Sequence, residues 1–254
     1  MMQGGYTAAL GIRSQQTRLD TIANNLANIN TNGFKASRVD FKDALYETMQ
    51  RVVQPQDTLN MQRGHGVLVS GINRVFTQGQ IYETGVETDL YIQGDGFFAV
   101  QSHDGQTYYT RDGNFQKSLE GANTYLVTSQ GYYVLDTNGQ RVTVDNEAGF
   151  NVSSNGQIAR DDGTVYGTLR IVQFPNERGL EAHSENLFRV TENSGEPTQI
   201  GEETKIIQGA YEGSNVELAQ EMARMVRASR AYQLSARALS VADSMDDTAI
   251  RSRR

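Results

Sequence analysis

Glycine and proline are distributed unevenly along this chain, and their distribution limits where helices can form. Glycine is absent from Ile12 to Asn32, and neither residue occurs from Ser214 to Arg254. Nearly all of the 25 glycines lie from Gly33 to Gly213. Both residues interrupt helices, and glycine also serves tight turns. The sequence therefore predicts a helix near each end of the chain, with strands and turns between them.

The N-terminal segment carries apolar residues at alternating steps of four and three, the spacing of a coiled-coil seam. We expect a helix from Tyr6 to about Asn30, closed by Asn and Gly residues that adopt the left-handed conformation. Such a helix is roughly 38 Å long at 1.5 Å per residue. The seam positions are Ala8, Ile12, Gln15, Leu19, Ile22, Leu26 and Ile29.

The C-terminal segment opens with a helix-start signal. Ser214 and Glu217 form an S-x-x-E capping box, in which the two side chains satisfy the first free backbone amides. Glu217 and Glu221 also favour the positive end of the helix dipole. We therefore predict a helix from Ser214 to about Ile250, roughly 55 Å long. Its seam repeats the same spacing at Leu218, Met222, Met225, Ser229, Tyr232, Ala236 and Leu239.

Between the two helical segments, short apolar runs alternate with Asp-Gly and Asn-Gly pairs, which are typical of hairpin turns. The pairs are Asp95-Gly96, Asp104-Gly105, Asp112-Gly113, Asn138-Gly139, Asn155-Gly156 and Asp162-Gly163. The expected strands are Leu90 to Ile92, Phe97 to Gln101, Thr107 to Thr110, Tyr125 to Thr128, Tyr132 to Leu135, Arg141 to Val144 and Leu169 to Phe174. Their regular spacing favours a compact antiparallel sandwich or barrel.

These signals predict an α+β fold in which long N- and C-terminal α-helices form a coiled-coil-like pair and flank a central antiparallel β-rich domain. The helices are expected to pair with each other or with copies in neighbouring subunits. The expected organisation is an N-terminal helical segment (1–32), an extended connecting β segment (33–85), the β-rich domain (86–200), a return connection (201–213) and a C-terminal helical segment (214–254).

The length of the predicted C-terminal helix favours contacts between subunits. It exceeds what a domain of about 30 Å needs, and its faces are rich in small Ala and Ser residues that allow close approach by several helices. The alternative is that both seams pack against the chain's own central body. Because isolated helices are marginal in water, we expect the helical ends to be partly disordered in the monomer. The side chains expected to serve helix packing and self-assembly are Ile12, Leu19, Ile22, Leu26, Ile29, Leu218, Met222, Met225, Tyr232 and Leu239.

Composition excludes several classes of function. The chain has no Cys and therefore no disulfide framework, thiolate metal site or cysteine nucleophile. Its formal charge of -7 opposes the phosphate attraction that dominates nucleic-acid affinity, so no nucleic-acid partner is expected. No apolar run approaches the ~20 residues of a bilayer-spanning helix, so no integral membrane segment is expected. The first dozen residues lack the pattern of a cleaved secretory signal, and residence outside the cytoplasm would need another export route.

No catalytic, metal-binding or cofactor-binding site is predicted. The histidines His65, His103 and His183 are far apart and lack the ligand spacing of a metal site. The run from Gly94 to Ala99 lacks the third Gly and the following helix of a dinucleotide loop, and we interpret it as a tight turn into a strand. The acidic residues offer no defined pair for glycoside cleavage. Tyrosine-rich strands such as that at Tyr108-Tyr109 leave a secreted glycan-binding or glycan-cleaving β protein as an alternative.

Several runs resemble the signatures of bacterial flagellar rod and hook proteins, in the order in which that family carries them. The N-terminal run includes Asn24, Asn25, Leu26, Ala27, Asn28, Thr31, Gly33 and Phe34. The later runs are Tyr91 to Val100, Tyr109 to Phe115, Gly213 to Glu217 and Arg230 to Gln233. The resemblance implies subunits that stack helically into a hollow, torque-transmitting drive shaft, with paired terminal helices lining the inner tube and the β domain outside. Asn24, Asn25 and Asn28 are expected to form hydrogen bonds at the tube interior or between subunits.

Within the family, the segment Phe41 to Thr48 and its continuation to Val67 most resemble the distal-rod members. The alternative is a proximal rod or other hook–basal-body axial subunit. The implied partners are further copies of this chain, other rod and hook subunits, the flagellar type III export apparatus and, where a bushing ring surrounds the shaft, the proteins of that ring. The implied location is the flagellar basal body, outside the cytoplasm, and no cofactor is implied.

Overall fold

The computed structural model describes residues 2–49, 61–121, 123–145, 149–160, 162–184, 186–201 and 204–252. Parts of the predicted segments, above all 50–60 of the connecting segment, lie outside these residues. The chain divides into two compact units. The first comprises Met1–Ala27, Ser37–Arg74 and Glu217–Arg254, and the second comprises Asn28–Ala36 and Val75–Val216.

The first unit contains the two long helices that the sequence predicts. Helix α1 spans Met2–Ala27 and helix α2 spans Leu218–Arg251. The N-terminal helix begins a few residues earlier than expected. It also ends a few residues earlier, because the chain turns at residues 28–30. Within the described residues, no helix is long and apolar enough to cross a bilayer.

The two helices contact each other and run in opposite directions within the first unit. A Cβ atom on Gly5 would lie 3.7 Å from Cδ1 of Leu239, and one on Gly11 would lie 3.2 Å from Oγ of Ser235. Gly11 is therefore in close contact with α2, which explains why a residue of low helix propensity occurs within α1. Ala228, one of the small residues of α2, is fully buried.

The predicted capping box at the start of α2 is wrong. The helix begins at Leu218, its N-cap residue is Glu217, and Glu217 makes no side-chain capping bond. The Ser214 hydroxyl instead accepts a 3.3 Å bond from the amide of Val216. Asn215, which would be the first helical residue under the prediction, is held by hydrogen bonds to residues 36, 75 and 77, and these keep the chain out of the helix.

The first unit also contains two pairs of antiparallel strands. They are β1 (Ser37–Asp43), β2 (Tyr46–Met49), β3 (Met61–Gly64) and β4 (Val67–Arg74). Strand β1 pairs with β4, and the register shifts between Asp40 and Phe41. Strand β2 pairs with β3. The sequence indicates an extended segment here without defining these strands.

The second unit is built from short strands and one turn of 3-10 helix at Glu177–Gly179. In chain order the strands are β5 (Ile81–Glu83), β6 (Leu90–Gln93), β7 (Phe97–Gln101), β8 (Thr107–Thr110), β9 (Phe115–Glu120), β10 (Asn123–Thr128), β11 (Tyr133–Val134), β12 (Thr143–Val144), β13 (Phe150–Val152), β14 (Gln157–Arg160), β15 (Val165–Thr168), β16 (Ile171–Gln173), β17 (Glu181–Ala182), β18 (Leu187–Arg189), β19 (Thr198–Gln199), β20 (Lys205–Gln208) and β21 (Ala210–Glu212). The predicted strands at β7 and β8 are confirmed with the expected bounds.

Antiparallel pairing organises the second unit, as the sequence predicts. The largest sheet follows the order β12-β10-β11-β7-β8-β18-β17, with β9 beside β10 and β16 between β7 and β19. Strands β13, β14 and β15 form a second sheet, and the pairs β20-β6 and β21-β5 are separate. Apolar side chains of β6, β7, β10, β14 and β18 form one continuous core, in which Phe98, Leu126 and Ile158 are fully buried.

Most of the predicted hairpin turns are present, but those at Asp95-Gly96 and Asp112-Gly113 are wrong. Gly96 connects β6 and β7, which do not pair with each other. Gly105, Gly156 and Gly163 connect paired strands and have φ values of 82°, 86° and 90°. Gly113 connects β8 and β9, which do not pair with each other. Its carbonyl accepts a 2.9 Å bond from the amide of Leu90. A Cβ atom at Gly113 would lie 1.7 Å from the Leu90 carbonyl oxygen, so this glycine permits close backbone contact.

Candidate functional site

Three segments of the second unit that are distant in sequence lie side by side. We call 33–36, 75–80 and 210–215 the junction segments. The amide of Gly33 donates to the Glu212 carbonyl at 2.8 Å, and the amide of Val75 donates to the Ala36 carbonyl at 2.8 Å. The amide of Gly213 donates to the carbonyl of Gln80, also at 2.8 Å. The junction segments therefore hold the early, middle and late parts of the chain together.

The side chain of Asn215 crosslinks all three junction segments. Its Oδ1 accepts a 2.7 Å bond from the amide of Ala36, and its Nδ2 donates to the carbonyls of Val75 and Thr77 at 2.8 and 3.0 Å. An amide side chain can serve here because it carries a donor and an acceptor on one rigid group. Asn215 lies in the family-signature run from Gly213 to Glu217.

A buried cluster of charges lies beneath the junction segments. Lys35 and Glu212 form an ion pair of 2.6 Å, and their side chains are 0% and 1% exposed. Arg111 approaches the other oxygen of Glu212 at 3.6 Å and donates to the Gly94 carbonyl at 2.8 Å. The Thr77 carbonyl accepts a further bond from Lys35 at 2.9 Å. The pairing satisfies charges that could not be buried alone.

Burial and the neighbouring charges determine the electrostatics of this cluster. Desolvation lowers the pKa of Lys35, and the opposing attraction of Glu212 favours its charged form. Glu212 is ion-paired with both Lys35 and Arg111. Among the described residues, the atoms Arg111 Nε and Glu212 Oε2 have no hydrogen-bond partner. Desolvation also raises the pKa of Glu177, against the attraction of Arg111. The side chains of Lys35, Arg111 and Glu212 are each at most 1% exposed, so these three charges are enclosed.

The signature residues Gly33 and Phe34 precede Lys35 in the first junction segment, and their surroundings explain why a glycine and a phenylalanine occur there. Gly33 has a φ of 65°, and a Cβ atom there would lie 2.5 Å from the backbone nitrogen of Asp112. Phe34 is 2% exposed. A left-handed conformation and a close backbone contact both require glycine at position 33.

Asp112 is a buried carboxylate next to this glycine. It accepts a 2.9 Å bond from Nδ2 of Asn186 and a 3.0 Å bond from the amide of Asn114. Nδ2 of Asn186 also lies 3.3 Å from the carbonyl of Asn32, to which it donates. Desolvation raises the pKa of Asp112 to about 6, although the bonds from Asn114 and Asn186 oppose this rise.

In the first unit, the signature residue Asn25 closes a local loop. Its Oδ1 accepts a 2.8 Å bond from the amide of Ser37, and its Nδ2 donates to the Ser37 carbonyl at 2.9 Å. Nδ2 also lies 3.4 Å from Oε2 of Glu221, which is buried on α2 and ion-paired with Arg224. Asn25 is 1% exposed, whereas Asn24 is exposed and Asn28 is half-buried.

The side chains predicted to serve helix packing differ in their burial within the single chain. Ile22 is buried, and Leu218 and Met222 are 45% and 50% exposed. The others are half-buried: Ile12, Leu19, Leu26, Ile29, Met225, Tyr232 and Leu239. The contacts of these residues in an assembly therefore stay a prediction.

Helix α2 also exposes large apolar side chains outside the predicted seam. These are Val226, Leu234, Val241, Met245 and Ile250, each at least half exposed, and they add to the exposed seam residues Leu218 and Met222. These residues lie off the predicted seam, which follows steps of four and three along one face. The sequence signal is a second row with repeated steps of four, at Leu218, Met222 and Val226.

The described residues offer no metal site, and the cleft beside Thr137 has no carboxylate in its lining. No group of three His, Asp or Glu side chains among them could hold a metal ion. An open cleft of about 490 Å³ in the second unit is lined by uncharged residues such as Thr137 and Ile200, together with Arg170. Its described lining therefore lacks the two carboxylates that glycoside cleavage needs.

Three family models match the chain at the segments described above. They are described as "Flagella basal body rod protein" (residues 6–35), "Flagellar hook protein FlgE/F/G D1 domain" (91–166) and "Flagellar basal body rod FlgEFG protein C-terminal" (207–252). The flagellar basal-body rod protein FlgG of Borreliella burgdorferi is 38% identical over 96% of both chains. The chain belongs to this rod protein family.

Other members of the rod family show the same coverage. FlgG of Agrobacterium fabrum is 37% identical over 94% of both chains, and FlgG of Bacillus subtilis is 34% identical over 96% of both. FlgF of Caulobacter vibrioides is 36% identical over 96% of this chain and 94% of its own. The chain is FlgG-like and has its place in the flagellar basal body. It is a structural protein rather than an enzyme, which excludes the glycan-cleaving alternative.

Proposed function

We propose that copies of this chain stack helically, through paired terminal helices, into the hollow torque-transmitting shaft of the flagellar rod. Family membership already makes the chain a structural subunit of the rod. The coiled-coil-like pairing of α1 and α2, their position at the inner tube and the predicted domain organisation are parts of the proposal. The observation that carries it is the set of large apolar side chains that α2 exposes between Leu218 and Ile250.

An exposed apolar row on a helix is unfavourable in water, because each large side chain loses the stabilisation of burial. Contact with further copies would remove this surface from solvent. A head-to-tail contact whose rotation does not close produces an open helical assembly rather than a finite ring. Repeated burial of these side chains along the assembly would make the shaft rigid.

A substitution at Leu234 tests this proposal because its side chain is 64% exposed in the single chain. We expect Leu234→Asp to leave the unfolding temperature of the monomer nearly unchanged, since few contacts are lost. The same substitution would place a charge in a contact between copies and abolish rod assembly and swimming. The matched control is Gln233→Asp, which adds the same charge at the adjacent exposed position. Normal swimming of cells that carry only Leu234→Asp would contradict the proposal.

The axial position and the further partners are also proposals. Similarity to FlgG proteins over nearly the full chain supports the distal rod. The similarity to a FlgF protein supports a proximal rod or another axial subunit as the alternative. At either position, the expected partners are other rod and hook subunits, the type III export apparatus and bushing-ring proteins. Labelling the chain in intact basal bodies and locating the label by electron microscopy would distinguish the two positions.

A further inference from the structure

Opposite charges are separated along α2. Four arginines and no acidic residue occur from Met222 to Ala242, and three aspartates and no basic residue occur from Asp243 to Ile250. Arg251, the last residue of α2, follows the aspartates. Arg224 is already paired with Glu221. We call Arg227, Arg230 and Arg237 the basic group, and Asp243, Asp246 and Asp247 the acidic group.

Both groups are accessible in the single chain. All three arginines are exposed, as are Asp243 and Asp247, and Asp246 is half-buried. Within the described part of the chain, none of the six side chains forms an ion pair. Arg227 makes one hydrogen bond, of 3.3 Å, to the carbonyl of Ala223 in the preceding turn. The charges of both groups therefore remain available to a partner.

The two groups differ in height and in direction around the helix. Their centres are about 14 residues apart, or about 21 Å at 1.5 Å per residue. At about 100° per residue, the mean directions of the two groups differ by roughly 160°. The basic and acidic groups therefore lie on nearly opposite sides of α2, at different heights.

We propose that α2 helices of adjacent copies pack side by side with an axial offset of about 20 Å, set by the basic group of one copy facing the acidic group of the next. The occupant of each charged surface is thus a second copy of this chain. This inference rests on the proposed function, since it requires that copies assemble through their terminal helices.

Charge favours this offset over alignment at equal height. Two parallel copies at equal height bring like groups to the same level about one helix diameter apart, and each charged surface then faces a part of its neighbour that lacks the opposite charge. An offset equal to the separation of the groups places the basic group of one copy directly against the acidic group of the next. Because the two surfaces are different and lie on opposite sides, the contact is head-to-tail and can be repeated indefinitely. Exposed Leu234 lies on the side of the basic group and exposed Ile250 lies on the side of the acidic group, so both would be buried in the same contact.

Charge reversal tests the inference in cells that make only the chosen form of the chain. One variant carries Arg230→Asp with Arg237→Asp, the second carries Asp243→Arg with Asp247→Arg, and the third carries all four changes. We expect each two-residue variant to reduce the number of assembled rods about tenfold, because like charges then meet at every contact. The four-residue variant restores complementarity and should return the count to within about twofold of the original chain. Rods are counted in purified basal bodies by electron microscopy.

Co-expression of the two two-residue variants is a second test that does not need the four changes in one chain. One variant presents two acidic surfaces and the other two basic surfaces, so the mixture should build rods that neither builds alone. The matched control for the arginine variant is Arg178→Asp with Lys205→Asp, which changes the net charge by the same amount at exposed positions of the second unit. Unfolding of each purified monomer establishes that the variants fold.

The outcomes separate this inference from the proposed function. Normal rods from both two-residue variants would overturn the inference, as would a four-residue variant and a mixture that both fail although every chain folds. In either case the original chain still builds rods, and the proposed function stands. Failure of Leu234→Asp to impair assembly would instead contradict the proposed function itself.

Discussion

Asn25 and Asn215 each use a single amide group to fix backbone that the regular strands leave unpaired. Asn25 satisfies both the amide and the carbonyl of Ser37, and Asn215 satisfies the amide of Ala36 and the carbonyls of Val75 and Thr77. A buried backbone group without a partner is costly, so these side chains stabilise the chain where it changes direction. Their role is structural in the single chain.

Substitution of Gly33 tests whether its close contact with the backbone of Asp112 requires glycine at this position. We expect Gly33→Ala to destabilise the chain by at least about 2 kcal/mol more than Gly121→Ala, because only the first Cβ collides with backbone. The two glycines have nearly equal φ values of 65° and 63°. The nearest atom to a Cβ at Gly33 is Asp112 N at 2.5 Å, whereas nothing lies within 4 Å of one at Gly121.

Urea unfolding of both glycine variants measures the difference. The control variant, Gly121→Ala, keeps the cost of a left-handed backbone conformation, about 1–2 kcal/mol. It lacks the collision of the new Cβ atom with backbone that occurs in Gly33→Ala. Equal destabilisation by the two substitutions would show that the contact between Gly33 and the Asp112 backbone does not constrain position 33.

Asp112 makes stability depend on pH. Its pKa rises from the ordinary value of 3.8 to about 6 on folding, so the folded state binds the proton more tightly. The resulting stabilisation is present below pH 3.8 and is lost as the pH rises through 6. We expect the stability of Asp112→Asn relative to the original chain to improve by about 2 kcal/mol between pH 4 and pH 7.5.

Unfolding free energies of the two chains at both pH values provide the measurement. The comparison between chains removes the contributions of other titrating groups that the substitution leaves unchanged. A constant difference across this range would mean that the Asp112 carboxyl has the same pKa in the folded and unfolded states.

The sequence identifies several important residues without indicating their contacts. Gly33, Phe34 and Asn25 belong to a signature run, and their spacing gives no information on Asp112 or Ser37 as neighbours. Lys35 and Glu212 are ordinary charged residues in the sequence, and only folding reveals that they form a buried pair. Long-range pairing is set by the tertiary fold rather than by local pattern, which is why the buried cluster could not be predicted.

At the scale of elements, α2 is only weakly anchored in the single chain. Its buried residues are Glu221 and Ala228, and its large apolar side chains are mostly half-buried or exposed. Strand β7, in contrast, has four consecutive residues with no exposure, from Phe97 to Val100. Because local opening is easiest where few apolar contacts are formed, the two elements should differ in stability.

Hydrogen exchange on the monomer should show this difference. We expect amides of α1 and α2 to exchange faster than those of β7 and β8, and to become protected in assembled rods, because assembly buries the exposed side of each helix. Mass spectrometry of the monomer and of isolated rods gives both values. Uniformly strong protection of 8–29 and 218–239 in the monomer would contradict the expectation of partly disordered ends.

The existence of elements was easier to predict than their ends. Glycine positions separate the helices from the strands, and Asp-Gly pairs identify hairpins such as that between β7 and β8. The start of α2 was misplaced because Asn215 is captured by the junction segments, and the turn at Asp112-Gly113 was misassigned because its glycine serves a close backbone contact. In both cases a tertiary contact determines the local structure.

For the whole molecule, sequence predicts the α+β class and the order helix, β-rich region, helix. It does not predict that β1 to β4 share a compact unit with the helices, because their pattern carries no signal for that association. Nor does it predict the junction segments, whose hydrogen bonds join residues far apart in the chain. The surface of α2, in contrast, can be predicted from the sequence once the helix is known. Its apolar side chains and its separated charges both follow from the residue positions along the helix.

The pair of Lys35 and Glu212 has a consequence for the timing of folding. These residues are separated by 177 positions. A ribosome delivers the lysine early and the glutamate near the end of synthesis, so the buried cation lacks its partner for most of that period. The β-rich unit therefore cannot complete its interior until most of the chain has been made, which delays closure of a body whose first and last strands must meet.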